Sequence, residues 1–406
     1  MPATGCPAAI ATQAKTANPM SLTMSTPALE EIDDLRSLFL RDVPLLDVRA
    51  PVEFAEGAFP NAVNHPLIDD LERERIGLTY KQQGQDQAIA LGIQLVSGDL
   101  KEQRIRAWEA FMCEHPDAVL YCFRGGMRSQ ISQRWLHEHV GIACPRVRGG
   151  YKAMRRYLID QLQVNAAQCR PVVIGGRTGV GKTRLLRRFV ERLDLEQLAH
   201  HRGSAFGGHP QPQPTQIDFE NALSIALLKR VADGNRWFVV EDESRNIGSR
   251  HIPEAFFRRL EEAPIVVLEA SEEERIEITL QEYVHDTLDA FRRLHGEAKG
   301  FAEWRTYLLH SVDRIRRRLG GDRHLKVRHM LEDAIDTQQA SGATDRHRAW
   351  IAYLLREYYD GMYSYQLAQK SQRVEFSGPA DAVMAFLSQR HAIGDVATVQ
   401  NESAAR

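Results

Sequence analysis

The sequence predicts an α/β protein of two parallel-sheet domains in series with a helical C-terminal region, and three observations carry that prediction. Short apolar runs alternate with segments of helical length, once from Leu35 and again from Pro171. A run in each series opens into a loop rich in glycine and cations. After Ser271 the patterning turns helical and stays so to about Gln372.

Residues 1–30, rich in Ala, Thr, Ser and Pro, read as a disordered leader, within which Met20 and Met24 offer alternative starts. In the first series Pro44-Leu45-Leu46-Asp47-Val48 and Ala118-Val119-Leu120-Tyr121 read as buried strands, and the domain is placed over 36–160. A polar stretch near Asp160 to Arg170 links it to the second series. There Pro171-Val172-Val173-Ile174, Arg236-Trp237-Phe238-Val239-Val240 and Pro264-Ile265-Val266-Val267-Leu268 are the strands, in a domain placed over 165–335. Ser271 with Glu274 forms a capping box that opens the helices, and 336–406 is expected as a helical C-terminal region.

Composition narrows the function classes. The 406 residues carry a net charge of −2, so the chain as a whole lacks the basic character of a dedicated nucleic-acid binder. Its five cysteines have neither zinc-site spacing nor the density of a disulfide scaffold. Without a run of about 18 apolar residues or a secretory core in the leader, the expectation is a cytoplasmic protein.

Two loops carry chemistry. Cys122-Phe123-Arg124-Gly125-Gly126-Met127-Arg128-Ser129 lies between a strand and a helix bearing Ile131, Trp135 and Leu136 on one face. Backbone N–H groups, the helix N-terminus and the cations Arg124 and Arg128 favour thiolate over thiol there and make a cradle for an anion. Gly125 and Gly126 allow the loop to curl. A buried strand-end cysteine is the bland alternative, which the clustered Gly, Arg and Ser disfavour.

The second loop, Gly176-Arg177-Thr178-Gly179-Val180-Gly181-Lys182-Thr183, fits the GxxxxGK[ST] phosphate-loop pattern. A strand precedes it, and a helix is expected after it from the spacing of Leu185, Leu186, Phe189, Val190 and Leu193. Gly176, Gly179, Gly181, Lys182 and Thr183 are the diphosphate-binding candidates, and Thr183 can hold magnesium. The pattern specifies a diphosphate and no particular base. Of the carboxylates closing the next strand, Glu241 and Asp242 rank above Glu243 by register as metal- or water-orienting groups. No metal-ligand set stands out.

Asp47-Val48-Arg49, Glu53-Phe54, Gly57-Ala58-Phe59-Pro60-Asn61-Ala62-Val63-Asn64 and Val147-Arg148-Gly149-Gly150-Tyr151 resemble rhodanese signatures. That makes the first domain rhodanese-like and the second P-loop NTPase-like by resemblance. The resemblance puts a persulfide or selenopersulfide role on Cys122. The spacing from Cys122 to Arg128 departs from the usual sulfurtransferase loop by one extra residue, as in dual-specificity phosphatases, and suits a tetrahedral, phosphate-sized anion.

The pairing of the two loops, with Tyr80-Lys81-Gln82, Ala90-Leu91-Gly92, the stretch from Leu198 to Gly207 and Glu241-Asp242-Glu243-Ser244-Arg245, is similar to the tRNA 2-selenouridine synthase family. The resemblance implies a transferase that replaces sulfur by selenium at the wobble 2-thiouridine of tRNA through a geranylated intermediate. Geranyl diphosphate and selenophosphate are then substrates, no cofactor is tightly bound, and a selenophosphate-producing enzyme is the supplier. Cys122 would carry the selenium, while Arg124, Gly125, Gly126, Met127 and Arg128 bind selenophosphate.

For tRNA, the basic run from Arg314 to Arg328 offers phosphate contacts through Arg314, Arg317 and Arg318, and Tyr358, Tyr359, Tyr363 and Tyr365 offer stacking surfaces. A solvated helix face and a packed core are the competing readings of these two clusters. His200 and His201 are left outside catalysis. Two rival functions remain: a Cys-x5-Arg phosphatase or sulfurtransferase joined to a regulatory NTPase, and an inactive scaffold with a nucleotide switch. Tyr121 stands where the phosphatase loop has a histidine, and Cys122 itself argues against the scaffold.

Overall fold

The computed structural model describes residues 30–234 and 236–390, and the chain divides into two compact units with the boundary between Gln161 and Leu162. That boundary falls inside a helix, Gly150–Gln168, so the polar link expected near 160–170 is helical. All of the expected leader except Glu30 lies outside the described residues.

The first unit is built on a parallel sheet of β1 (Glu31–Ile32), β2 (Leu45–Asp47), β3 (Ala62–Asn64), β4 (Val119–Tyr121) and β5 (Arg146–Val147), in the order β1-β5-β4-β2-β3. Leu46 and Leu120 are fully buried on paired strands, which is why both runs read as apolar throughout. Trp108, also fully buried, packs among them and donates its indole N–H to the His65 carbonyl at 2.9 Å. β4 follows β3 in the chain but pairs on the far side of β2. Such a reversal leaves a crevice beyond the carboxyl ends of the strands, where α/β proteins place ligands, and Cys122 follows β4 there.

The second unit repeats the principle with β6 (Arg170–Gly175), β7 (Arg192–Leu193), β8 (Trp237–Glu241), β9 (Asn246–Ile247), β10 (Arg250–His251), β11 (Ile265–Leu268) and β12 (Val374–Gly378). β9 and β10 form a small antiparallel pair, and the others a parallel sheet ordered β12-β11-β6-β8-β7. β6, at its centre, runs into the glycine loop.

Two expectations are corrected here. The helix after the glycine loop is only Lys182–Leu186. Phe189 is still buried, but the chain then turns to form edge strand β7, leaving Val190 76% exposed and Leu193 in a strand. The region 336–406 is likewise no separate helical tail, because the chain returns to the sheet as β12, parallel to β11. Helices from Glu272 to Lys370 therefore form a long insertion between two neighbouring strands, opened by the Ser271–Glu274 capping box. Their core centres on fully buried Trp304 and Trp350. Two wide π turns, Gln281–His285 and Leu355–Tyr359, interrupt the insertion.

Candidate functional site

The cysteine loop is closed by glycine. Gly125, Gly149 and Gly150 have φ of 63°, 75° and 57°, a region that favours glycine. A Cβ on Gly150 would lie 2.2 Å from the Cys122 carbonyl oxygen, and one on Gly125 would lie 2.6 Å from the Gly149 nitrogen. The glycine pair before Tyr151 thus lets two segments touch. The carbonyls of Cys122 and Phe123 accept the N–H groups of Tyr151 and Lys152, which locks that contact.

Cys122 is 3% exposed, with Sγ 3.3 Å from the Ser129 hydroxyl, which itself donates to the Gly126 carbonyl. The helix Met127–Val140 begins at the loop, so its first-turn N–H groups have no acceptor within the helix. Of the sequence-derived anion ligands, Arg124 and Met127 are exposed, and Gly125 is buried with its carbonyl accepting from Arg146 at 2.6 Å. Gly126 caps the helix.

Arg128 is held by Glu53 at 3.0 Å, and although burial pulls its pKa down, that partner keeps it above the ordinary value. Burial also works to raise the Glu53 pKa, but the Arg128 bond outweighs it and holds the carboxyl below its usual 4.5. Beneath the loop, buried Arg49 pairs with Asp47 at 2.7 Å and lies 3.9 Å from the centre of the Tyr151 ring.

In the second unit the glycine loop frames a cavity of about 820 Å³. Gly176, Gly179 and Gly181 all have positive φ, and a Cβ on Gly179 would lie 2.5 Å from the Thr279 hydroxyl. Lys182 folds back on the loop, donating to the Gly176 carbonyl at 2.9 Å. Thr183 donates to Glu196 at 3.0 Å. Arg275, 3% exposed, donates to the Thr178 carbonyl at 3.0 Å and pairs with Asp360, tying the helical insertion to the loop. Tyr283 and Tyr359, one from each π turn, line the cavity with Tyr363, Met362, Arg184, Arg187 and Arg202.

Glu196, Glu241 and Glu243 bring carboxylate oxygens within 4.8 Å of one another beside Thr183. Burial pushes Glu196 up to about 7, partly opposed by Lys182. Burial, and after it Glu196, raises Glu241 and Glu243 well above the ordinary range. Ranking Asp242 above Glu243 is therefore corrected. Glu241 and Glu243 join Glu196, whereas the Asp242 carboxylate, also on the cavity wall, pairs with Lys370 at 2.7 Å. Glu196, on the short helix Leu195–Ala199 after β7, is absent from the sequence-derived candidates, and only its position just before the Leu198–Gly207 motif hints at it.

The basic run divides. Arg314 donates to the Ala205 carbonyl, Arg328 pairs with Asp313 at 2.7 Å, Arg317 is exposed, and Arg318 reaches the cavity wall. Of the tyrosines, Tyr359 is buried, Tyr363 lines the cavity, Tyr358 packs partly against the helical core, and Tyr365 is 68% exposed. His200 and His209 lie with tilted rings 4.3 Å apart along the same cavity, where burial and the nearby Arg202 hold His209 down at about 4.

Residues 169–393 match the family described as the tRNA 2-selenouridine synthase AAA domain. The chain is also 53% identical to a tRNA 2-selenouridine synthase of Bordetella petrii, over 90% of this chain and 97% of that one. The chain belongs to the tRNA 2-selenouridine synthase family. Synthases of that name from Verminephrobacter eiseniae and Marinobacter nauticus are 53% and 49% identical over 87% and 89% of this chain, covering 97% and 98% of their own lengths. In this family member the match to the AAA domain spans the glycine loop, the helical insertion and β12 together. Among the described residues no helix is long and apolar enough to cross a membrane.

Proposed function

We propose that the protein replaces sulfur by selenium at the wobble 2-thiouridine of tRNA in two steps, one at each loop. Family membership supports the overall activity, as the relatives are tRNA 2-selenouridine synthases over nearly their whole length. In the first step the thiouridine sulfur attacks C1 of geranyl diphosphate, an S–C bond forms, the C–O bond breaks and diphosphate leaves. Gly176, Gly179, Gly181 and Lys182 hold the departing diphosphate, whose charge develops as the bond breaks. Thr183 and the carboxylates beside it are where magnesium would neutralise that charge.

In the second step selenide from selenophosphate displaces geranyl thiolate at C2, and water takes up the phosphoryl group as phosphate. The thioether leaves more readily than the thiocarbonyl sulfur would. The first unit, read as rhodanese-like, presents Cys122 to the selenium donor, with the first-turn N–H groups, Arg124 and Arg128 as the anion cradle. The observation that carries this reading is a glycine loop opening on a cavity of about 820 Å³ walled by tyrosine rings, Met362 and arginines. Those walls suit an apolar chain, a flipped base and its phosphates together. Arg318 is the member of the basic run best placed for tRNA there, with Arg317 outside and Arg314 structural.

Incubating the protein with 2-thiouridine tRNA, geranyl diphosphate and selenophosphate, then separating nucleosides by mass spectrometry, tests the reading. The geranylated nucleoside is expected first and the selenylated one after it. Absence of both would overturn the proposal.

A further inference from the structure

Glu241 is 1% exposed and neither of its carboxylate oxygens has a hydrogen-bond partner. A buried carboxylate left unpaired is costly unless it loses its charge or gains a cation. Glu196 and Glu243 aim their own carboxylates at the same point, all within 4.8 Å. Oxygens on opposite sides of one hard cation with bonds of ~2.1–2.4 Å stand ~4.2–4.8 Å apart, so the three fit around a single ion. Gly203, at φ 60°, makes room for this arrangement, since a Cβ there would sit 2.6 Å from a Glu243 oxygen. Lys182, the nearby cation, spends its hydrogen bonds on loop carbonyls.

We propose that Glu196, Glu241 and Glu243 form a divalent-cation site held by the protein itself and filled before any diphosphate binds. An ordinary phosphate-loop magnesium is held by the loop hydroxyl, one carboxylate and the phosphates, so it arrives with its nucleotide. Here the Thr183 hydroxyl is engaged by Glu196, and three carboxylates from two segments supply the ligands. Ionised and without a cation, they would repel a diphosphate from the adjoining loop. All-oxygen donors select magnesium or manganese over softer ions. The inference rests on the diphosphate reading only for the order of binding.

The test is a Mn²⁺ titration of the full-length, substrate-free protein, followed by the electron paramagnetic resonance of free Mn²⁺. One equivalent is expected to bind. Glu241→Gln and Glu196→Gln should each weaken it by more than about tenfold. Thermal unfolding run alongside separates lost ligands from lost fold. Mn²⁺ should raise the Tm of the parent protein but not of Glu241→Gln, and that variant, lacking a buried charge, should unfold no earlier than the metal-free parent. Binding that appears only when inorganic pyrophosphate is added, or that survives both glutamate substitutions, would overturn the proposal. No tRNA or geranyl diphosphate is present, so this result is separate from whether the transfer reaction occurs.

Discussion

The two loops both follow the carboxyl end of a parallel strand and are both proposed as anion cradles, yet their electrostatics differ. Around the Cys122 loop Arg128 is paired with Glu53, Arg49 with Asp47, and Arg146 with Glu31. At the glycine loop three carboxylates crowd together, and Lys182 is turned onto backbone carbonyls. On the proposed function the first site has only to admit its anion, whereas the second would be completed by a metal and a diphosphate and is the one expected to change on loading.

The largest effect should come from Lys182→Ala, which removes the cation from the diphosphate cradle. Geranylation should fall by at least about a hundredfold, read as geranylated nucleoside formed per minute. A normal geranylated product from this variant would erase the contrast between the loops. Next in size is Gly150→Ala at the paired site. Its Cβ would collide with the Cys122 carbonyl at a positive φ, so about 2 kcal/mol of stability and the selenation step should be lost while geranylation persists. Chemical unfolding and the nucleoside assay read the two effects.

A smaller effect concerns the Glu53 pair. The folded protein holds this carboxyl below its ordinary 4.5, so the stability it adds is present above that value and lost as pH falls below it. Glu53→Gln should flatten that acid limb in Tm measured against pH. An unchanged limb would mean the pair contributes nothing. Smallest of all, Arg318→Ala should weaken tRNA binding a few-fold and Arg317→Ala less, since only Arg318 lines the cavity. Gel-shift titration at fixed salt compares them, and equal losses would make the run a diffuse phosphate surface.

Much of this contrast is legible in the order of the residues alone. The apolar runs at Leu45, Val119, Val172, Phe238 and Ile265 are buried on both faces of parallel sheets, so their patterns are continuous and unambiguous. The glycine loops show because positive φ leaves a compositional trace. β12 is hidden because its Val374 and Phe376 alternate with polar residues on an edge strand behind a long helical insertion. Glu196 is hidden because the acidic triad joins segments forty-five residues apart, and only tertiary packing unites them. Arg275 gives no signal at all, being one arginine on a helix of charged residues.

The division of labour between the loops has one most direct test, nucleoside analysis of the Cys122→Ser protein given 2-thiouridine tRNA and both small substrates. Geranylated nucleoside should accumulate at close to the parent rate while selenylated nucleoside falls to background. Equal loss of both products, or undiminished selenation, would contradict the account.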